Sequence, residues 1–352
     1  MSVFALLRPV IHQLEPEKAH EWGVRAVASG LIPACKPIVD ARLNMQVAGL
    51  HLPNPVGLAA GFDKNAHTLG HIFKYGFGFV ECGTVTPKPQ SGNPKPRVFR
   101  VTEQEAVINR LGFNNDGMAP YVARLKARKA NGIVGANIGK NKDSADAIAD
   151  YITLMHAVYA HADYVTVNIS SPNTAGLRDL QAKESLGALV RGVHQARDEQ
   201  MAQGHARKPI FIKIAPDLDT GQREDIAQLA LEHQLDALIV GNTTISRPQM
   251  QPVPEHLQQG GLSGKPLMAL STQVLRDMRR LTQGKVPLIG VGGISSAEDA
   301  YAKIRAGASA VQLYTAFVYQ GFGLVNGINA GLLALMERDG VARLADVVGV
   351  DA

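Results

Sequence analysis

Tyr164-Val165-Thr166-Val167-Asn168-Ile169-Ser170-Ser171-Pro172-Asn173-Thr174 joins an apolar run to a polar terminus and a proline-containing break. An unbroken apolar run is the pattern of a parallel strand buried on both faces, and a strand followed by an amphipathic helical stretch is half of a βαβ unit. The pattern recurs along the chain. Pro55-Val56-Gly57-Leu58-Ala59, Phe77 to Cys82, Ile133 to Asn137, Ile210 to Ile214, Ala237 to Val240, Leu288 to Val291 and Ala310 to Tyr314 bring the count to eight. Eight βα units close on themselves, so the expected fold is α/β, a (β/α)8 TIM barrel; a doubly wound open sheet is the competing arrangement of the same units.

The composition agrees with a large folded core. The 352 residues are 45% hydrophobic and 19% charged, and the 35 glycines and 19 prolines follow no period, which excludes disordered and collagen-like chains. Cys35 and Cys82 are the only cysteines, so neither a disulfide framework nor a metal-ligand spacing is present and a reducing compartment is expected. No apolar run approaches the ~18 residues of a spanning helix, and no signal peptide is visible. The net charge of +5 favours anionic partners without choosing among them.

Two insertions and an N-terminal extension interrupt the barrel pattern. Residues 86 to 131 contain the strand-like Val98-Phe99-Arg100-Val101 and Ala106-Val107-Ile108, a small β insertion expected over the C-terminal face, where barrel active sites lie. Arg247 to Gly264 ends in Gly260-Gly261-Leu262-Ser263-Gly264, which suits either close backbone approach to a ligand or a plain turn. Residues 1–40 carry apolar stripes on two short helices, with Val3, Phe4, Leu7, Val10, Ile11 and Leu14 on the first and Ala19, Trp22, Gly23, Ala26, Val27 and Leu31 on the second. Such a pair either covers the bottom or side of the barrel or forms a detachable hairpin that meets a membrane or an amphiphilic ligand. The expected division is a helical extension over 1–40 and a catalytic barrel over 41–340.

Catalytic groups in barrels stand at the C-terminal ends of strands. Here those ends are polar: Gly61-Phe62-Asp63-Lys64-Asn65, Gly83-Thr84, Asn137, Asn168 to Thr174, Lys213, and Asn242-Thr243-Thr244. After the seventh and eighth strands come Gly290-Val291-Gly292-Gly293-Ile294 and Tyr314-Thr315, where many barrels bind phosphate, and Ser295-Ser296 can cap the next helix. No dinucleotide or Walker motif is present. Asparagines both donate and accept, which suits a ring bearing amides, and lysines meet negative charge. A phosphate site, a planar ring and a lysine near an anionic reduced ring together suggest flavin mononucleotide (FMN).

The strings GLAAGFDKNA from Gly57, GTVTPKPQSGNPKPR from Gly83, NRLGFNN from Asn109, NIGKNKD from Asn137, NISSPNTAGLR from Asn168, KIAPD from Lys213, NTT from Asn242, GGLSGKPL from Gly260, GVGGI from Gly290 and QLYTA from Gln312 closely resemble the dihydroorotate dehydrogenase family. Ser171, where the soluble class has cysteine, and the N-terminal extension make the chain resemble the quinone-dependent, membrane-associated second class. The resemblance implies oxidation of (S)-dihydroorotate to orotate in pyrimidine biosynthesis, on FMN reoxidised by a membrane quinone. Ser171 would be the catalytic base, helped by Thr174 and a water screened by Phe113. Lys64, Asn109, Arg110, Leu111, Gly112, Phe113, Asn168, Asn173, Asn242 and Thr243 would bind substrate. Ala60, Gly61, Phe62, Asp63, Lys64, Thr84, Asn137, Asn168, Lys213, Gly241, Gly264, Gly293, Tyr314 and Thr315 would hold FMN, with Lys213 stabilising the reduced ring. His20 and Arg100 would meet the quinone in a tunnel formed by the N-terminal helices. A peripheral monomer on the cytoplasmic face of the inner membrane is implied. Gly241 and Ala316 depart from the residues common in the family, threonine or serine and glycine respectively.

Two other functions compete. One is an FMN barrel oxidoreductase acting on another ring or drawing on a nicotinamide partner. The other is nucleic-acid binding through Arg124-Leu125-Lys126-Ala127-Arg128-Lys129, a basic run better explained as the solvated face of an amphipathic helix.

Overall fold

The computed structural model describes residues 8–352 apart from Val10, Cys35, Ala130, Asn131, Gln249, Gln251 and Pro252. In chain order its strands are β1 (Met45–Val47), β2 (Leu50–Leu52), β3 (Val56–Leu58), β4 (Phe79–Val85), β5 (Val98–Val101), β6 (Ala106–Asn109), β7 (Ile133–Ile138), β8 (Tyr164–Asn168), β9 (Ile210–Ile214), β10 (Ala237–Val240), β11 (Gly261–Gly264), β12 (Leu288–Val291) and β13 (Ala308–Leu313). The helices are α1 (Pro16–Ala28), α2 (Met118–Lys126), α3 (Ala147–Val158), α4 (Lys183–Ala202), α5 (Thr220–Glu232), α6 (Met268–Leu281), α7 (Ala297–Arg305), α8 (Thr315–Gln320) and α9 (Leu324–Arg338).

All eight apolar runs are barrel strands. β3, β4, β7, β8, β9, β10, β12 and β13 pair in parallel, and the Val311–Val56 register between β13 and β3 closes the ring, which rules out the open sheet. Side chains alternate across a strand, so Phe79 and Glu81 of β4 both face the barrel interior. The lower interior is filled by rings: Tyr164 lies 4.6 Å from Phe211 and 6.5 Å from Phe79, centroid to centroid. Bare glycines make room for them. A Cβ on Gly57 would collide with the Phe79 ring, and one on Gly135 with the Tyr164 ring.

The two insertions build one sheet. β5 and β6 pair antiparallel, and β11 joins β6 with Gly261 opposite Asn109. The glycine-rich end of the second insertion is therefore an edge strand rather than a turn; its partner lies some 150 residues away in sequence, beyond the reach of any local pattern. Gly264 at its end has φ +100, and a Cβ there would strike the Glu105 carbonyl.

The N-terminal stripe on Val3, Phe4, Leu7 and Val10 lies outside the described residues; helical backbone is present at Arg8, Pro9 and Ile11 to Gln13. Helix α1 begins with Pro16 at its first turn, and Glu15 caps it by accepting from Glu17 N and Lys18 N. It packs against β5 of the insertion rather than beneath the barrel. Glu17 accepts a forked hydrogen bond from Arg97 Nε and Nη2 at 2.6 to 3.2 Å, and Arg97 Nη1 reaches the Ser91 and Asn93 carbonyls. Past residue 340 the chain still packs on the barrel, with Arg305 and Asp351 forming a salt bridge at 2.7 Å.

Gly135→Ala is expected to lower stability by ~1–3 kcal/mol, the range for overpacking a filled core. A denaturant midpoint equal to that of the native chain would contradict the ring-packed floor.

Candidate active site

Above the aromatic floor lies a cavity of about 1050 Å³ that runs from the polar strand ends to the inner face of α1. Its two limbs differ in chemistry. The inner limb is lined by Lys64, Thr84, Asn109, Asn168, Ser171, Asn173, Lys213, Asn242 and Thr243. The outer limb is aromatic and aliphatic. His20 of α1 stacks edge-on against Phe62 at 5.5 Å, Phe62 against Tyr314 at 5.8 Å and Phe317 at 5.5 Å, and Phe317 against Phe322 at 5.3 Å. Ala19, Trp22, Gly23 and Ala26 of α1 complete this wall, and Trp22 is 61% exposed at its edge.

Beneath the inner limb is a polar network rooted in the barrel. Glu81, fully buried, accepts from Asn137 Nδ2 at 2.7 Å, Thr166 Oγ1 at 2.9 Å, Gln312 Nε2 at 3.0 Å and Tyr164 OH at 3.3 Å. Lys213 Nζ is 3.9 Å from Glu81 Oε1. Burial lowers the Lys213 pKa, and the Glu81 carboxylate opposes that shift. Lys64 is brought down to about 8 by burial, with Glu17 pulling it back up, so it stays mostly charged at neutral pH. It makes no ion pair among the described residues, and a second, polar cleft of about 880 Å³ reaches it from beside Glu17, Lys95 and Arg97.

The loop carrying Ser171 is held from two sides. Tyr151 OH donates to the Asn168 carbonyl at 2.7 Å, and Arg178 Nε to the Ser170 carbonyl at 3.0 Å. Ser171 Oγ accepts from Asn173 N at 3.3 Å, which leaves its own proton uncommitted. Thr174 Oγ1 and Thr243 Oγ1 are buried without a partner. Of the two, Thr243 lines the cavity, and an orphaned hydroxyl there is what a bound polar molecule would satisfy.

The glycine turn after β12, also part of the cavity lining, suits a phosphate. Gly292 and Gly293 have φ +108 and +84, and a Cβ on Gly293 would meet the Met268 backbone, so the turn presents bare amides. Thr315 Oγ1 donates to Ser263 Oγ at 2.9 Å, which ties the last barrel strand to β11 beside that turn. Ser296 caps α7 by accepting from Asp299 N, as its position after the turn suggested.

Most of the residues singled out from sequence line this cavity: His20, Ala60, Gly61, Phe62, Lys64, Thr84, Arg100, Asn109, Leu111, Gly112, Phe113, Asn168, Ser171, Asn173, Lys213, Asn242, Thr243, Gly264, Gly293, Tyr314 and Thr315. Four do not. Arg110 turns outward, its guanidinium 4.7 Å over the Phe99 ring and Nη2 bonded to the Pro96 carbonyl. The Asp63 carboxylate is occupied by the backbone N–H groups of Asn65, His67 and Thr68 and shapes its own loop. Asn137 lies one layer down on Glu81. Gly241 has φ +124, and a Cβ there would collide with the Val291 carbonyl, so its glycine answers a packing constraint in this chain. Arg100 acts partly as a strut, donating to the His12 and Leu14 carbonyls at 3.1 and 2.8 Å. Glu81, Gln312 and Ser170 were missed as site residues; the available signal was an acid inside the apolar run Phe77 to Cys82.

The described residues contain no cluster of metal-ligating side chains and no helix long and apolar enough to cross a membrane. A family model described as dihydroorotate dehydrogenase matches residues 42–336. A dihydroorotate dehydrogenase (quinone) of Agrobacterium fabrum is 55% identical over 334 residues, covering 95% of this chain and 92% of its own length. One of Xanthobacter autotrophicus is 51% identical over 355 residues, covering 100% and 99%. The crystal structure of Eimeria tenella DHODH in complex with ferulenol superposes with a TM-score of 0.91 at 40% identity, over 97% of this chain and 98% of that one.

His20 carries a test of the enclosure. Burial, aided by the charge of Lys64, lowers its pKa to about 3, while Tyr314 OH sits 3.1 Å from its Nδ1. The unfolded chain takes up this proton below pH ~6.5 and the folded one only near pH 3, so folding stability falls as pH drops through that window, by up to ~1.4 kcal/mol per unit. His20→Gln should flatten the pH slope of the unfolding free energy between pH 6.5 and 4 relative to the native chain. Identical slopes would mean that His20 is freely solvated.

Proposed function

The chain belongs to the dihydroorotate dehydrogenase family, and from that premise we propose that its cavity oxidises (S)-dihydroorotate to orotate on FMN, with a membrane quinone as the final electron acceptor. One observation carries the reading: a single cavity joins a glycine cradle and a buried lysine to a polar limb at one end and an aromatic, helix-walled limb at the other. The two limbs suit the two half-reactions, an anionic heterocycle on one side and a lipid-soluble ring on the other.

In the polar limb, Lys64 meets the substrate carboxylate, and desolvation strengthens that attraction. Asn109, Asn173, Asn242 and Thr243 face the ring's amide edges. Asn173 Nδ2 already donates to Asn109 Oδ1 at 3.2 Å, so the two amides are held as one unit before substrate arrives. Ser171 Oγ takes the proton from C5 as its own proton passes on, and the unpartnered Thr174 hydroxyl three residues along the same loop is a candidate acceptor. Phe113, held at φ +53 against Gly139, shields this corner from water. A bound flavin would supply the hydride acceptor for C6 and the electron link to the quinone. Gly264, Gly293 and Thr315 would hold its phosphate, and Lys213 would offer a positive charge to the ring.

The aromatic limb opens beside α1, where Trp22 and Leu31 are 61% and 85% exposed. Aromatic and aliphatic side chains at the mouth of an apolar passage suit an interfacial helix, so the protein acts as a peripheral membrane enzyme at the cytoplasmic face, taking quinone from the bilayer past His20 and Arg100.

The purified protein should be yellow, bleach on anaerobic addition of dihydroorotate and recover with a quinone but not with NAD⁺. A colourless, folded protein would overturn the assignment. Ser171→Ala should retain flavin but slow its reduction by ~10²-fold or more, the usual effect of losing a general base; near-native reduction would place the base elsewhere.

A further inference from the structure

We propose that Glu81 is a positioning residue which sets the donor and acceptor polarity of the substrate limb through a directed chain of hydrogen bonds ending at Asn242. The proposal deepens the function proposed above and rests on it. Glu81 touches neither the cavity nor any residue assigned to substrate, yet donors from four other barrel strands converge on it: Asn137 of β7, Tyr164 and Thr166 of β8, Lys213 of β9 and Gln312 of β13.

An ionised carboxylate only accepts, so every amide that faces it must turn its NH₂ inward and its oxygen away. For Asn137 this leaves Oδ1 pointing up, where it accepts from Thr84 Oγ1 and from Asn168 Nδ2 at 3.2 Å. With its single proton committed to Asn137, the Thr84 hydroxyl receives Asn168 Nδ2 at 2.9 Å. The orientation of Asn168 is thereby decided, and its Oδ1 accepts Ser170 N at 3.2 Å and Ser170 Oγ at 2.9 Å. The Ser170 proton is now committed in turn, so its oxygen receives Asn242 Nδ2 at 2.7 Å. That turns the Asn242 carbonyl outward, where Thr243 N donates to it at 2.7 Å. A second, shorter branch runs through Gln312, whose Nε2 is held by Glu81 and whose Oε1 remains a buried acceptor without a partner in the cavity lining. Reversing any one amide would set donor against donor along the whole series. An amide can rotate freely in water, and here a single buried charge removes that choice.

The test compares Glu81→Gln, Ser170→Ala and Thr166→Val as flavin-loaded proteins, reading flavin content, melting temperature and the Kd of orotate from its perturbation of the flavin absorbance. Ser170→Ala cuts the last link and Glu81→Gln the first. Each is expected to weaken orotate by at least ~10-fold while flavin content stays near that of the native protein, a loss of ordinary size for misdirected hydrogen bonds. Thr166→Val removes a donor to Glu81 that leads nowhere in the series and should leave the orotate Kd within ~2-fold. A Glu81 that serves only to balance Lys213 gives the opposite pattern, with flavin content or reduction potential changed in Glu81→Gln and orotate affinity native in both Glu81→Gln and Ser170→Ala; that result overturns the proposal. If Glu81→Gln does not fold, Ser170→Ala decides, since it removes one hydroxyl and no packing. Absence of orotate binding to the native protein would instead refute the proposed function.

Discussion

A fully buried carboxylate at the centre of a barrel is expensive to desolvate, and Glu81 persists there because four neighbouring strands of the barrel contribute to its solvation. The carboxylate and its donors occupy the layer between the aromatic floor and the cavity. Below it, Tyr164, Phe211 and Phe79 fill the interior; above it, Thr84, Asn168 and Lys213 reach the cavity. The barrel therefore changes character over one layer, from a packed core to an oriented polar surface, and Glu81 with Lys213 marks the change. Because strand register fixes which residues share a layer, Asn168 and Lys213 stand side by side on adjacent strands and reach the cavity together.

The second constraint is the clamp on the N-terminal helix. Burial works against ionised Glu17, yet its forked bond with Arg97 keeps its pKa low, so α1 remains tied to the β5–β6 insertion over neutral pH. Arg97 in turn grips the Ser91 and Asn93 carbonyls, so the helix and the loop that borders the second cleft share an anchor. The aromatic limb is thus a product of assembly between segments some 80 residues apart. Its inner ring contacts, from His20 through Phe62 to Phe317, leave a passage rather than a packed seam because α1 presents Ala19, Gly23 and Ala26 to it.

The barrel was legible because each buried parallel strand is a short, continuous apolar run whose polar end is written directly after it. Asn168 to Thr174, Lys213 and Asn242 could be placed at the rim by counting from those runs. The glycine-rich β11 could not be identified, since its conformation is imposed by β6, whose sequence lies far away. For the same reason Arg110 misled: it sits between cavity residues along the chain, but strand β6 has just ended and the side chain turns to Phe99. Gly241 read as a departure from family custom, whereas its positive φ and the nearby Val291 carbonyl account for it.

The sequence by itself determined the kinds of group available and their order along the chain: eight strands, six polar ends, two glycine turns and an amphipathic preface. These follow from local periodicity, which survives without any knowledge of neighbours. Tertiary structure alone decided which of those groups meet, which way each amide points and that an acid in an apolar strand should become the hub of the site. Hydrogen-bond direction depends on partners brought together by barrel closure, and no residue's own neighbours in sequence carry that information.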